Sequence, residues 1–330
     1  MRLAALLLAA LLGAAPAAAG PGPVDLIAHR GARGELPENT LPAFAHALGV
    51  GVTALELDVG MTRDGVVVVS HDRRPSPYLA RGRDGRWLTE GEAKPLIQWD
   101  FADLRRLDVG RIDPGSGYAG RQPHQKPVDG TPMPTLAEVV ELARKAGNGT
   151  VRFDVEIKRD PDHPAETRDP EPFARAVLDV LRQGGVLDRT VIQSFDWSVL
   201  AAVAKLAPQV RRSYLTAQFR GLNNIQKGRP GTSAWTAGLD IDDFGGSVPR
   251  LVAAAGGKIW SVHHRKLDAA ALQEAHGLGL TVLVWTVNDP ADMGRLLDLG
   301  VDGIITDHPA RLRKLLAERG YPLPPATPVP

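Results

Sequence analysis

Residues 29–72 read HRGARGELPENTLPAFAHALGVGVTALELDVGMTRDGVVVVSHD. The block opens on His29-Arg30-Gly31 and closes on His71-Asp72, with Glu38-Asn39-Thr40 and Glu56-Leu57-Asp58-Val59 between. Val24–Ala28 and Thr53–Val59 read as strands, and Leu41–Leu48 as a helix. Val66–Ser70 reads as the hairpin neighbour of Thr53–Val59 across Arg63-Asp64-Gly65. Side chains alternate along a strand, so Glu56 and Asp58 share one face. Ionisable groups therefore gather at the ends of apolar runs, where leaving them buried and unpaired is costly.

The same rhythm continues outward. Strands are expected at Val151–Ile157, Thr190–Gln193, Arg211–Leu215, Lys258–Val262, Thr281–Trp285 and Gly303–Thr306. Helices alternate with them at Leu136–Lys145, Pro172–Arg182, Trp197–Leu206, Val248–Ala255, Ala269–His276, Ala291–Leu299 and Arg311–Glu318. Thr135 with Glu138 offers a capping box for the first of these. Without the hairpin partner, eight principal strands remain, most followed by a helix. That pattern favours an α/β fold of the (β/α)8 TIM barrel type, with an insertion after the second strand. An open doubly wound sheet would want a G-x-G-x-x-G turn after its first strand, and His29-Arg30-Gly31-Ala32-Arg33-Gly34 does not supply it. In a barrel, functional groups collect at the C-terminal ends of strands. His29, Glu56, Asp58, Glu156, Lys158, Trp285 and Asp307 all fall at or near such ends.

The barrel is expected over residues 24–315. Residues 73–134, rich in Arg, Gly, Pro and Asp, form the insertion, expected over the barrel mouth. Residues 321–330 are rich in proline and read as a flexible tail. Residues 1–19 read as a signal peptide: Arg2, an apolar run Leu3–Leu12, and Ala17-Ala18-Ala19 before a cleavage point at Gly20. Export to the periplasm or beyond is expected, with no stable membrane anchor after cleavage. The net charge of +1 over 330 residues leaves no basic field for nucleic acid or an acidic membrane. The absence of cysteine excludes disulfides and thiolate metal sites.

Glu156, in Asp154-Val155-Glu156-Ile157-Lys158, occupies a place similar to that of the Glu56/Asp58 pair. Three carboxylates converging in a barrel would raise one another's pKa, and a divalent cation removes that conflict. All-oxygen ligation favours Mg²⁺ or Ca²⁺ over zinc. The plainer alternative is a salt-bridged barrel interior, for example Glu156 with Lys158. His29 and His71, near a metal, suggest an acid and a base. Arg30 and Lys158 bring positive charge suited to phosphate oxygens, or simply balance the carboxylates.

The ordered set also includes Gln193-Ser194-Phe195, Trp285-Thr286-Val287-Asn288 and Thr306-Asp307-His308-Pro309. As a whole it resembles the glycerophosphodiester phosphodiesterase family. The resemblance implies a (β/α)8 barrel that hydrolyses glycerophosphodiesters to an alcohol and sn-glycerol 3-phosphate. It implies one divalent cation, Ca²⁺ or Mg²⁺, held by Glu56, Asp58 and Glu156, with calcium frequent in exported members. His29 and His71 match the acid–base pair, and Arg30 and Lys158 match phosphate-holding positions. Glu38 and Asn39 would brace the site, and Trp285 would wall the glycerol or the leaving group. The implied partner is a small-molecule glycerophosphodiester. Past His71-Asp72 the chain departs from the family pattern, reading Arg73-Arg74-Pro75-Ser76-Pro77, which leaves the headgroup open. Two rival readings are a related barrel phosphodiesterase acting on lysophospholipids and a non-catalytic glycerophosphodiester-binding protein.

Overall fold

The structure, a computed structural model, describes residues 21–330; the leader expected at 1–19 lies outside the described residues. Strand β1 (Asp25–Ala28) is followed by helix α1 (Leu41–Val50), and β2 (Ala54–Met61) by a short antiparallel β3 (Val67–Val69). After a long excursion holding α2 (Phe101–Leu104), the chain continues through α3 (Leu136–Lys145), β4 (Arg152–Ile157), α4 (Pro170–Gln183), β5 (Thr190–Ser194), α5 (Trp197–Leu206) and β6 (Arg211–Thr216). A small hairpin, β7 (Gln218–Phe219) and β8 (Leu222–Asn223), precedes α6 (Val248–Ala254). The chain ends with β9 (Ile259–His263), α7 (Ala269–Gly277), β10 (Thr281–Trp285), α8 (Pro290–Leu299), β11 (Gly303–Thr306) and α9 (Pro309–Glu318).

Eight parallel strands form the sheet in the order β1-β11-β10-β9-β6-β5-β4-β2, and pairing of Ile27 and Ala28 with Ala54 and Leu55 closes it. This is the (β/α)8 barrel. The two-residue period of the strands explains its two cores. On β2, Leu55, Leu57 and Val59 point outward into the layer beneath the helices. Ala54 points inward and joins Ile27, Val191, Ile259, Leu283 and Ile305 in a plug that fills the lower barrel. Glu56 and Asp58 follow Ala54 on the same inner face, one and two steps higher. The plug seals the floor and the polar residues stand on it.

Local signals hold where they are chemically specific. Thr135 and Glu138 form the reciprocal capping box of α3. Asp289 caps α8, which begins at Pro290 and stops at Gly300 (φ 92). The 73–134 segment is a compact subdomain with its own small core of Ala80, Leu96, Leu104, Leu107 and Met133 against Val68 of β3. Arg81 stitches it internally, pairing with Asp108 and Asp129 at 2.7 Å each.

The C-terminal segment, 321–330, lies along the barrel. It has no regular secondary structure, yet the Thr327 N–H donates to the Leu48 carbonyl at 2.8 Å. Asn148 Nδ2 donates to Thr327 Oγ1 at 2.8 Å, Arg313 Nη1 donates to the Pro324 carbonyl at 2.8 Å, and Tyr321 and Val329 pack on the core. Proline content describes the missing hydrogen-bond ladder but not these tertiary anchors. No helix among the described residues is long and apolar enough to cross a membrane.

Candidate active site

The site is built at the upper end of the barrel. From β2 and β4, Glu56, Asp58 and Glu156 place carboxylate oxygens within 4.8 Å of one another, all three buried. Two oxygens on one Ca²⁺ ion, each at about 2.4 Å, stand at most ~4.8 Å apart, so the spacing suits a shared divalent cation. Asp58 Oδ1 is buried without a directed hydrogen bond, although Lys158 Nζ lies 3.0 Å away as an ion pair. The donor set is all oxygen and carries an unsatisfied lone pair, so the residues fit such an ion.

Charge in the cluster is finely balanced. Burial pushes Glu56 well above the usual carboxylate range, and Asp58 and Glu156 push it further. Burial also raises Glu156 to about 7, against Lys158 and together with Asp58. Burial opposes ionisation of Asp58 as well, but Lys158 and Arg30 hold it well below its ordinary value. Lys158 Nζ sits 2.6 Å from Glu156, so the salt-bridged arrangement and the metal-binding set involve the same carboxylates. Desolvation works against the charge on Lys158, but Asp58 and Glu156 keep it cationic.

The loop after β1 supplies the next layer. Arg30 (φ 52) and Asn39 (φ 56) both occupy the left-handed region, strained for an arginine and readily adopted by an asparagine. Gly31 (φ 88) lets this loop lie against α1, where a Cβ would meet that of Ala43 at 2.8 Å. The strain aims polar groups inward. Arg30 N–H donates to Glu56 Oε2 at 2.9 Å, and Arg30 Nη1 donates to Glu38 Oε1 at 2.6 Å. Asn39 Nδ2 donates to Asp58 Oδ2 at 2.8 Å. Glu38 thus fixes Arg30, and Asn39 fixes Asp58. Gln193 Nε2 donates to the second oxygen of Glu56 at 2.9 Å.

Both histidines lean on an aspartate. His29 Nδ1 lies 2.6 Å from Asp307 Oδ1; a carboxylate only accepts, so Nδ1 carries the proton and Nε2 is free. That Nε2 lies 3.9 Å from Glu56. Burial and Arg33 lower the His29 pKa to about 4 despite Asp307, so the ring is neutral at pH 7. His71 Nδ1 lies 2.8 Å from Asp72 Oδ1. Burial, Arg30 and Lys158 lower its pKa, moderated by solvent because about a third of the side chain, 36%, is exposed.

His29, His71, Arg30, Glu56, Glu156, Lys158 and Trp285 line one cavity of about 460 Å³. Trp285 packs edge-on against Phe195 at 5.5 Å and His263 at 5.2 Å, forming one wall. A second lobe of about 420 Å³ meets the first at His71, Glu156, Lys158, Phe195 and Leu222, and extends past Arg74, Glu90 and Trp235. All ten residues singled out in the sequence converge here. Four others matter as well: Asp307, Gln193, Arg33 and Tyr118. Asp307 and Gln193 fall within the quoted motifs and could have been assigned as supports from them. Arg33 donates through Nε and Nη2 to Asp307 at 3.1 and 3.0 Å, and Tyr118 hydrogen-bonds Glu38. Tyr118 lies in the insertion and carries no motif signal.

Comparison with known proteins agrees with this geometry. Residues 29–311 match the Glycerophosphoryl diester phosphodiesterase family. A solved structure from Silicibacter pomeroyi, described as a putative glycerophosphoryl diester phosphodiesterase, is 37% identical with a TM-score of 0.79, covering 91% of this chain and 95% of that one. A Caldanaerobacter subterraneus protein named glycerophosphodiester phosphodiesterase is 28% identical over 298 residues, 89% of this chain and 98% of its own length. A phosphodiesterase from Oleispira antarctica, solved in complex with the product sn-glycerol-3-phosphate, shares the fold at 23% identity and a TM-score of 0.63, covering 88% of this chain and 96% of that one. This chain belongs to the glycerophosphoryl diester phosphodiesterase family and is an enzyme of that class.

Proposed function

We propose that the protein hydrolyses glycerophosphodiesters to an alcohol and sn-glycerol 3-phosphate, with one divalent cation, Ca²⁺ or Mg²⁺, and with His29 and His71 as the acid–base pair. The observation that carries this reading is the convergence, on one cavity, of three buried carboxylates, two aspartate-backed histidines and two cations suited to phosphate. The product complex of the Oleispira relative supports the choice of product.

The ion would be held by Glu56, Asp58 and Glu156, and when bound it neutralises charge on a phosphate oxygen. Arg30 and Lys158 hold the other non-bridging oxygen, with Arg30 fixed in turn by Glu38. His29, neutral with a free Nε2, accepts the proton of the attacking oxygen, which belongs to water or to the substrate's own neighbouring hydroxyl. His71 gives a proton to the departing alkoxide once the phosphate's negative charge is beside it. Asp307 and Asp72 steady the two imidazoles as they exchange charge. The Trp285 wall takes the apolar face of the glycerol, and the second lobe takes the alcohol. The leader at residues 1–19 supports an exported, periplasmic or secreted enzyme.

The test is release of sn-glycerol 3-phosphate from a panel of glycerophosphodiesters, with and without chelator. Release that stops with chelator and returns with Ca²⁺ or Mg²⁺ is expected. No release from any member, or full activity in excess chelator, overturns the reading.

A further inference from the structure

Two tyrosines of the 73–134 insertion stand where the supports of both histidines end. The Tyr118 hydroxyl donates to Glu38 Oε2 and accepts from Arg33 Nη1 at 3.3 Å, using donor and acceptor capacity together. Each partner reaches inward. Glu38 holds Arg30 at 2.6 Å, while Arg33 grips Asp307 with two nitrogens, and Asp307 holds His29. Tyr78 lies on Tyr118 with ring centroids 5.0 Å apart, and its hydroxyl is 3.5 Å from Asp72, the carboxylate that holds His71. The segment carrying Tyr118 also docks on the barrel loop by Gln125 Nε2 to the Arg33 carbonyl (2.8 Å) and Lys126 N–H to the Glu35 carbonyl (2.9 Å).

We infer that Tyr118, with the tilted Tyr78 ring packed against it, is a positioning residue that ties the seating of the insertion to the orientation of His29 and His71. The insertion packs a small core against Val68 of β3, and its seating there sets where Tyr118 and Tyr78 stand. Seated, it closes both chains of support from opposite sides. Displaced, it takes the hydroxyl from Arg33 and Glu38 together, and the grip on Asp307 and Arg30 loosens. The inference rests on the acid–base reading above for its consequence in turnover, but not for its geometry.

The experiment compares Tyr118→Phe and Tyr118→Ala with wild type by two readouts. In protein labelled with ¹⁵N-histidine, the Nδ1 proton of His29 reports its hydrogen bond to Asp307. Tyr118→Phe should move that signal and leave the His71 signal in place. Tyr118→Ala, which also removes the ring from Tyr78, should move both. In turnover, Tyr118→Phe should lower kcat roughly 10–100-fold, the range for outer supports of a catalytic centre, with KM within about twofold and an unchanged melting temperature. An unmoved His29 signal, or a raised KM with kcat preserved, overturns the inference. If wild type releases no glycerol phosphate, the proposed function fails, and the histidine signals still decide the positioning role.

Discussion

Adding Ca²⁺ or Mg²⁺ to ion-free protein should raise its melting temperature by an amount that shrinks as pH falls. At free ion one hundred times Kd, mass action contributes about 2.7 kcal/mol to the folded state. Unfolding entropy of ~2.1 cal/mol/K per residue, over residues 21–330, gives about 0.65 kcal/mol/K, so the shift is about 4 °C. Glu156 titrates at about 7 in the fold, against an ordinary 4.5. Below pH 7 it holds a proton that the ion must displace. At pH 5.5 that competition, to which the raised Glu56 adds, weakens affinity by roughly 30-fold or more, and the same ion concentration then yields a shift of about 1 °C or less. The ion-free protein shows the complementary trend. The proton retained by folded Glu156 stabilises the fold fully below the unfolded value, and that contribution is lost as pH rises from about 4.5 to about 7. Differential scanning fluorimetry at pH 5.5 and 8, with chelated protein and titrated ion, reads both slopes. Glu156→Gln should abolish most of the shift, whereas His71→Ala should keep it. A shift that survives Glu56→Gln and Glu156→Gln, or that grows at low pH, refutes the argument.

His29→Ala and His71→Ala should each cut kcat by ~10²–10⁴-fold with an unchanged circular dichroism spectrum; near-normal turnover in both would remove the acid–base assignment. Asp154 is buried on the inner face of β4 below Glu156, and burial pushes it to about 7, against Arg152 and with help from Asp25. The fold therefore disfavours its ionised form, and stability should fall as pH climbs from about 4 to about 7, by on the order of 4 kcal/mol at most. Asp154→Asn should be more stable than wild type at pH 8 and equal to it at pH 4; denaturant melts showing equal gains at both pH values would contradict this. Deleting residues 321–330 removes the Thr327 and Pro324 hydrogen bonds and the packing of Tyr321 and Val329, and should cost ~2 kcal/mol with kcat unchanged, read by urea titration beside the turnover assay.

What could be read from the chain follows from the range of the forces involved. The inner-face alternation of Glu56 and Asp58 is a property of one strand, and the Thr135–Glu138 box spans four residues; both are local and both are legible. The convergence of Glu156 with that pair needed only the rule that barrel strands end in a common mouth. The supports of the site were harder. Asp307 lies 278 residues from His29, and Tyr118 lies 80 residues from Glu38 within a segment lacking a repeating pattern. The end of β11 marks Asp307 as a site residue without pointing to His29, and nothing local marks Tyr118. The β7–β8 hairpin contributes two residues per strand, too few for any periodicity to register. In the C-terminal segment proline predicts the loss of regular backbone pairing, whereas its anchoring depends on one amide meeting Leu48 and one side chain meeting Asn148.

That anchoring has a practical reach. The strap formed by residues 321–330 ends against Leu48, Gly51 and Asn148, where helices finish and strands begin, and the first strand enters from the same pole. The candidate site opens at the opposite pole. A surface tether or a fused reporter attached next to the first strand or after the strap would therefore stand about a barrel's height from the candidate site. Immobilised enzyme should keep its turnover whichever terminus is fixed.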